Sequence, residues 1–252
     1  MALLLETRFR VPDENTTSRI LSSPRILAIL QESWRKGDIL SSYFDTPKHA
    51  LNLLHWELRF RREGLQGALS LKTPKDEAPA EQTWTGQAWA GLSCYDKWQC
   101  PAEGAREGVP RLVGMGAPAA LPVLVLQGDL IELCQVSCQR LSGVLELSDG
   151  AAATLAIDRG ELLAGEKREP FIEMTIELLY GDPSVAGKLA ENLAVEYGLT
   201  RVRAGKYDRA LRLVRSRPAT SAPATSAPTS SAPASGGTTS GGPPPSGPSP
   251  SP

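Results

Sequence analysis

Histidine is scarce. Only His49 and His55 occur in 252 residues. No nucleophile elbow or Ser/His/Asp set accompanies them, which argues against triad hydrolysis. Both read as surface or packing residues. Cysteine is also sparse. Cys94 and Cys100 are spaced C-x5-C, and Cys134 and Cys138 are spaced C-x3-C, which fits no common zinc pattern. They read as structural or incidental thiols. No apolar run approaches the roughly 18 residues of a membrane span. The greasy start Met1 to Leu5 is interrupted at once by Glu6, Arg8 and Arg10. It has neither the basic opening nor the apolar stretch of a signal peptide. A cytoplasmic location is the expectation. Excess charge of one sign is absent too: 27 basic against 28 acidic residues give −1. That balance argues against a surface built to grip duplex nucleic acid or an anionic membrane, though a local basic site is compatible with it. Gly-rich Walker and Rossmann loops are missing as well.

The chain divides by composition. Residues 1–215 carry the apolar and charged patterning of a folded domain long enough to bury a core. Residues 216–252 are almost entirely Ser, Pro, Thr, Ala and Gly, with the unit ATSAP repeated. Such a tail cannot bury enough apolar area to offset its ordering entropy and is expected to be disordered. In the domain, two helices are predicted. One opens at Ser22-Ser23-Pro24 and carries Ile26, Leu27, Leu30 and Trp34 at helical spacing. The other opens at Gly181-Asp182-Pro183, carries Val185, Leu189, Leu193 and Tyr197, and ends at Gly198. Alternation predicts about eight strands: Leu3 to Val11, Leu40 to Phe44, Glu57 to Arg62, Ala68 to Thr73, Thr83 to Ala90, Val144 to Leu147, Ala152 to Asp158 and Phe171 to Leu179. Cys100 to Gln127 reads as loops or a short helix. Many strands and few helices suggest an antiparallel sheet or closed barrel.

The informative anomaly is where the charges fall. In Glu57-Leu-Arg-Phe-Arg61, a period of two puts Glu57, Arg59 and Arg61 on one side and Leu58 and Phe60 on the other. Lys72 sits opposite Leu69 and Leu71. Glu6, Arg8 and Arg10 share a face, as do Glu173, Thr175 and Glu177. One wet face on one antiparallel strand is ordinary. Across the set, however, acids lie on the first and last runs and bases on the middle ones. Carboxylates that place Mg2+ and guanidinium groups that fork onto phosphate oxygens divide labour in this way. Phosphoryl transfer depends on such positioning and charge neutralisation.

The same residues carry a resemblance. Leu4-Leu-Glu-Thr-Arg-Phe9, Tyr43-Phe-Asp-Thr-Pro47, Leu58-Arg-Phe-Arg61, Leu69-Ser-Leu-Lys72, Leu155-Ala-Ile-Asp-Arg-Gly-Glu161, Glu169 to Leu179 and Gly205-Lys-Tyr-Asp-Arg209 fall in the order found in the CYTH family, the triphosphate tunnel metalloenzymes. The set resembles most the bacterial inorganic triphosphatase branch. The resemblance implies a mainly β fold with flanking helices: a closed antiparallel tunnel of eight strands. It implies Mg2+ or Mn2+ as cofactor and a triphosphate as ligand. Most members hydrolyse the terminal phosphoanhydride; others act on thiamine triphosphate or RNA 5′-triphosphate ends, or cyclise ATP. Carried over position by position, Glu6, Glu173 and Glu177 are the catalytic acids. With Asp158 they are also the metal ligands. Arg8, Arg59, Arg61, Lys72, Arg140 and Lys206 are the phosphate binders.

Three departures stand out. Leu4 and Thr175 replace acids of the family pattern. Gln82-Thr-Trp-Thr-Gly86 carries no charge where an Arg-x-Glu is usual. Two functions therefore stay open: metal-dependent hydrolysis of inorganic triphosphate or a related organic triphosphate, and a degenerate module that binds polyphosphate or nucleotide without turnover. Trp56, Trp84, Trp89 and Trp98 could stack a base, but core or wall packing is the expected role.

Overall fold

The computed structural model describes residues 2–74, 93–126 and 129–215. The strand expected at Thr83 to Ala90, the uncharged stretch Gln82 to Gly86 and the tail 216–252 lie outside the described residues.

Nine strands form one antiparallel sheet. They are β1 (Ala2–Arg10), β2 (Arg35–Asp45), β3 (Glu57–Glu63), β4 (Gln66–Pro74), β5 (Ser93–Pro101), β6 (Ile131–Glu146), β7 (Ala152–Ala164), β8 (Lys167–Tyr180) and β9 (Thr200–Arg201). Their order is β5-β4-β3-β2-β6-β7-β8-β1-β9, and β1 also pairs with β5. The shared strand divides its length: Ala2 to Glu6 pair with β5 and Glu6 to Arg10 with β8. The expectation of a mainly antiparallel sheet with flanking helices holds. Among the described residues the strand count is nine, not eight: seven of the expected runs form strands, and β5 and the two-residue β9, which pairs with Phe9 and Arg10, were not expected.

Alternation sorts the side chains as the period of two requires. Leu58, Phe60, Leu69, Leu71, Trp98 and Cys100 point away from the charged face into one apolar cluster. Helices α4 (Ala105–Gly114) and α5 (Ala120–Leu126) cover it. Phe9, Leu155, Ile157, Met174 and Ile176 form a second cluster under α6 (Pro183–Tyr197). That helix is capped by Asp182, which accepts from the Ser184 N–H at 2.8 Å, and ends at Gly198 with φ 63°, where a side chain would be strained.

The predicted helix from Pro24 to Trp34 is largely corrected. Only α2 (Pro24–Leu27) forms there, after α1 (Glu14–Leu21), whose N-cap Asp13 accepts from Thr16. The chain leaves the helix because Gln31 donates to Val144 O and Glu146 donates to Ile29 O. Those bonds tether it to the end of β6, and Leu30 and Trp34 then pack on the second cluster. The segment expected as loops or one short helix holds α4 and α5. The run expected at Val144 to Leu147 is the last part of a sixteen-residue strand, β6. A short helix α3 (Ala50–Leu53) follows β2. Buried Asp45 secures it by accepting from the N–H groups of Thr46, Leu51 and Asn52.

The last helix, α7 (Lys206–Arg215), packs on β6, β7 and β8. Its Tyr207, Ala210 and Leu211 meet Ile39, Val136, Cys138, Leu162 and Phe171. By alternation these strand residues share the face of Arg140, Asp158 and Glu173. That face is therefore apolar under α7 and charged beyond the helix's first turn.

Candidate functional site

A polar cavity of about 120 Å³ opens beside the start of α7. Six of the sequence-predicted phosphate binders line it: Arg8, Arg59, Arg61, Lys72, Arg140 and Lys206. Glu6 and Glu177 line it too. Asp158 and Glu173 do not. They lie behind the wall, each 1 % exposed, and each is paired with two cations.

Cross-strand register explains this arrangement. Arg140, Asp158 and Glu173 are successive neighbours across β6, β7 and β8. Arg140 forks onto Asp158 through Nε and Nη2 at 2.6 and 2.7 Å. Lys206, from α7, donates to Asp158 at 2.8 Å and lies 3.2 Å from Glu173. Arg209, one turn on, donates to Glu173. Burial raises the Asp158 carboxyl pKa, but Lys206 and Arg140 outweigh it and hold the group well below its usual range. Lys206 is raised despite its burial, because Asp158 and Glu173 favour its charged form.

On the opposite wall, Arg8 donates to Glu6 at 2.8 Å and Lys72 lies 3.8 Å from the same carboxylate. Burial pushes the Glu6 carboxyl up. The charges of Lys72, Arg8, Lys206 and Arg59 overcome that and bring it to about 2. Arg61 pairs with Glu63 at 2.6 Å. Its pKa is nevertheless lowered, first by burial and then by Arg140 and Arg59. Buried Nε of Arg59 has no hydrogen-bond partner among the described residues.

Several lining residues were not anticipated from the sequence. Lys97, on β5, sits opposite Lys72. Its pKa is depressed by burial and by Arg59, with Lys72 adding to the effect. β5 escaped prediction, although Tyr95, Lys97 and Gln99 alternate with the buried Trp98 and Cys100. Tyr95 also lines the cavity, as do Tyr43 and Tyr207, which stack at 5.0 Å, while Glu57 lines it beside Arg59 and Arg61 as the alternation of β3 put it. Gly205 fits closely: a Cβ there would lie 3.1 Å from Arg8 Nη1 and 3.3 Å from Asp208 Oδ2. Arg209 could have been found from Gly205-Lys-Tyr-Asp-Arg209 had that segment been read as a helix, since Lys206 and Arg209 fall one turn apart. Neither histidine lines the cavity.

The carboxylates present decide what a metal would meet. Among the described residues no three His, Cys, Asp or Glu side chains gather into a metal site. The expected set of Glu6, Asp158, Glu173 and Glu177 is not brought together. Glu6 and Glu177 are: they are directly paired positions on β1 and β8, and both face the cavity. Two carboxylates fit one hydrated divalent ion that shares phosphate oxygens.

No protein-family model matches the chain. Solved structures do. HpAC1 from Hippeastrum, described as having a dominant triphosphatase activity, aligns at TM-score 0.53 and 18 % identity over 83 % of this chain and 95 % of its own. An adenylate cyclase candidate from Bacillus halodurans aligns at 0.49 and 13 % over 81 % and 96 %. PH1819 from Pyrococcus horikoshii OT3 aligns at 0.48 and 15 % over 83 % and 99 %. The first comparison carries the likeness, and it is a likeness of fold. The chain thus shares a mainly antiparallel sheet with flanking helices, and in this chain a charged cavity lies against that sheet.

Proposed function

We propose that the cavity binds the phosphate chain of inorganic triphosphate or a related organic triphosphate and hydrolyses its terminal phosphoanhydride. One observation carries the reading: seven cationic side chains from five strands and α7 converge on a single cavity that also holds the Glu6–Glu177 pair. Closure of the sheet into a tunnel belongs to the same proposal, and it is supported by β1 pairing with both β8 and β5.

The residues divide as follows. Arg8, Arg59, Arg61, Lys72 and Lys97 supply donors to phosphate oxygens. Arg140 spends two donors on Asp158 and keeps others for a phosphate. Asp158 and Glu173 hold Arg140, Lys206 and Arg209 in place and act as positioning residues. Glu6 and Glu177 would hold Mg2+ or Mn2+. When bound, the ion would neutralise phosphoryl charge and acidify a water. A cytoplasmic location is part of the proposal, supported by free, buried thiols at Cys100, Cys134 and Cys138. No duplex nucleic acid enters the reading. Among the described residues no helix is long and apolar enough to cross a membrane.

A second reading, binding without turnover, is favoured by one observation: Asp158 and Glu173 are already neutralised. Phosphate release from triphosphate with Mg2+, with Mn2+ and with chelator, run beside calorimetric binding, separates the two. Turnover lost in chelator supports the hydrolase. Binding with no turnover in any condition supports the module. Absence of binding throughout sinks both.

A further inference from the structure

The charge on the cavity wall bears on which ligand can enter first. Seven cations face four carboxylates, a surplus of three. Adding the buried layer of Asp158, Glu173 and Arg209 leaves eight against six. The carboxylates are also largely spoken for. Glu6 accepts from Arg8, and Asp208 accepts from the Gly205 N–H at 3.0 Å. The cations are less satisfied. Lys97 has no ion pair within 4.0 Å among the described residues and faces Lys72 across the β4–β5 ladder, where like charges repel. Arg59 Nε is buried and unpartnered. A divalent cation approaching this wall is repelled, whereas a polyphosphate supplies the missing acceptors.

We infer that the cavity fills in a fixed order: polyphosphate enters as the metal-free anion, and a divalent cation joins only afterwards. This rests on the polyphosphate reading of the same site. Before the ligand arrives, Glu6 is held by Arg8, and of the remaining wall carboxylates Glu177 alone pairs with it across β1 and β8, while the seven cations outnumber them all. After it arrives, phosphate oxygens compete for Arg8 and Lys72 and add acceptors beside Glu6 and Glu177, completing an oxygen-rich site. Linkage is reciprocal, so the cation then tightens the phosphate. It is not needed for the first event.

The test uses the full chain and two probes. Sodium tripolyphosphate is titrated calorimetrically in EDTA and then in Mg2+. Mn2+ alone is titrated while its paramagnetic resonance signal is followed. The expected result is one-to-one tripolyphosphate binding in EDTA, with no saturable Mn2+ site on the ligand-free protein below millimolar concentration. Lys97→Gln removes an exposed-to-ligand cation that no described ion pair uses, so the fold is retained. It should weaken the EDTA titration by about tenfold, the scale of one charged hydrogen bond. Binding that disappears in EDTA and returns with Mg2+ overturns the order, as does a tight Mn2+ site on the free protein. If tripolyphosphate binds in neither condition, the polyphosphate reading itself has failed.

Discussion

Glu6 and Glu177 are directly opposed across β1 and β8, and both face the cavity. Like charges in that position repel unless a cation or a base separates them. Here Arg8 occupies one of the two, by its bond to Glu6. Replacing Glu177 with Gln removes the member of the pair that has no ion pair among the described residues. Metal-dependent triphosphate hydrolysis should fall by about tenfold to a hundredfold or more, on the scale of lost metal-site partners. Tripolyphosphate binding in chelator should be unchanged or tighter, because one negative charge has left the wall. Unchanged turnover would exclude this pair as the metal site.

Asp158 and Glu173 make the opposite prediction. Each is buried against cations, so Asp158→Asn leaves Arg140 without its counter-ion and Lys206 with Glu173 alone. Breaking a buried pair by removing one partner costs about 3–5 kcal/mol. Urea unfolding should show that loss for Asp158→Asn and a comparable one for Glu173→Gln. A loss of activity with no loss of stability would instead place these acids at the chemistry.

The contrast shows how far the sequence could be read. Period-two alternation put Arg59 and Arg61 on one face and Leu58 and Phe60 on the other, and the structure places them so. Register between distant strands was not legible. That Arg140, Asp158 and Glu173 form one row depends on pairing across β6, β7 and β8, and on α7 bringing Lys206 and Arg209 to the row. A local pattern carries none of this. The helix after Pro24 failed for a related reason: its apolar spacing was real, but tethering to β6 overrode local propensity. Lys97 was missed because β5 was, its alternation being diluted by polar residues on both faces.

Acid should unfold the protein through the same site. Glu6 has a folded pKa of about 2 against an ordinary 4.5. A carboxyl depressed by folding contributes stability that is fully present above the unfolded value and is lost as pH falls through the folded one. Asp158 is shifted in the same direction. Thermal stability should therefore decline as pH drops from about 4.5 towards about 2. Glu6→Gln should flatten part of that decline. A melting temperature independent of pH across that window would contradict the ion-pair geometry.

The thiols offer a check on packing. Cys134 and Cys138 are buried and pushed up to about 12, mainly by burial. The thiolate is the reactive form, so neither should react with a disulfide reagent at neutral pH in the native protein. Both should react promptly in denaturant. Fast native labelling at Cys138, identified by peptide mapping, would mean that α7 does not cover it as seen here.

Thr175 ties the metal question to the order of binding. It is 8 % exposed, lines the cavity between Glu173 and Glu177, and is the cross-strand partner of Arg8. Thr175→Glu would place a carboxylate opposite Arg8, where it would compete with Glu6 for that guanidinium. Glu6 would be partly released to Glu177, and the cationic surplus would fall by one. The ligand-free protein should then gain a saturable Mn2+ site. Metal-free tripolyphosphate should bind about tenfold more weakly, the scale of one charged contact. Stability in chelator should fall, because three carboxylates would follow one another along β8 at residues 173, 175 and 177 with no ion between them. Mn2+ should restore that stability in the variant and leave the parent's melting temperature unchanged. Equal Mn2+ binding by parent and variant would show that Arg8 and its neighbours do not control when the cation enters.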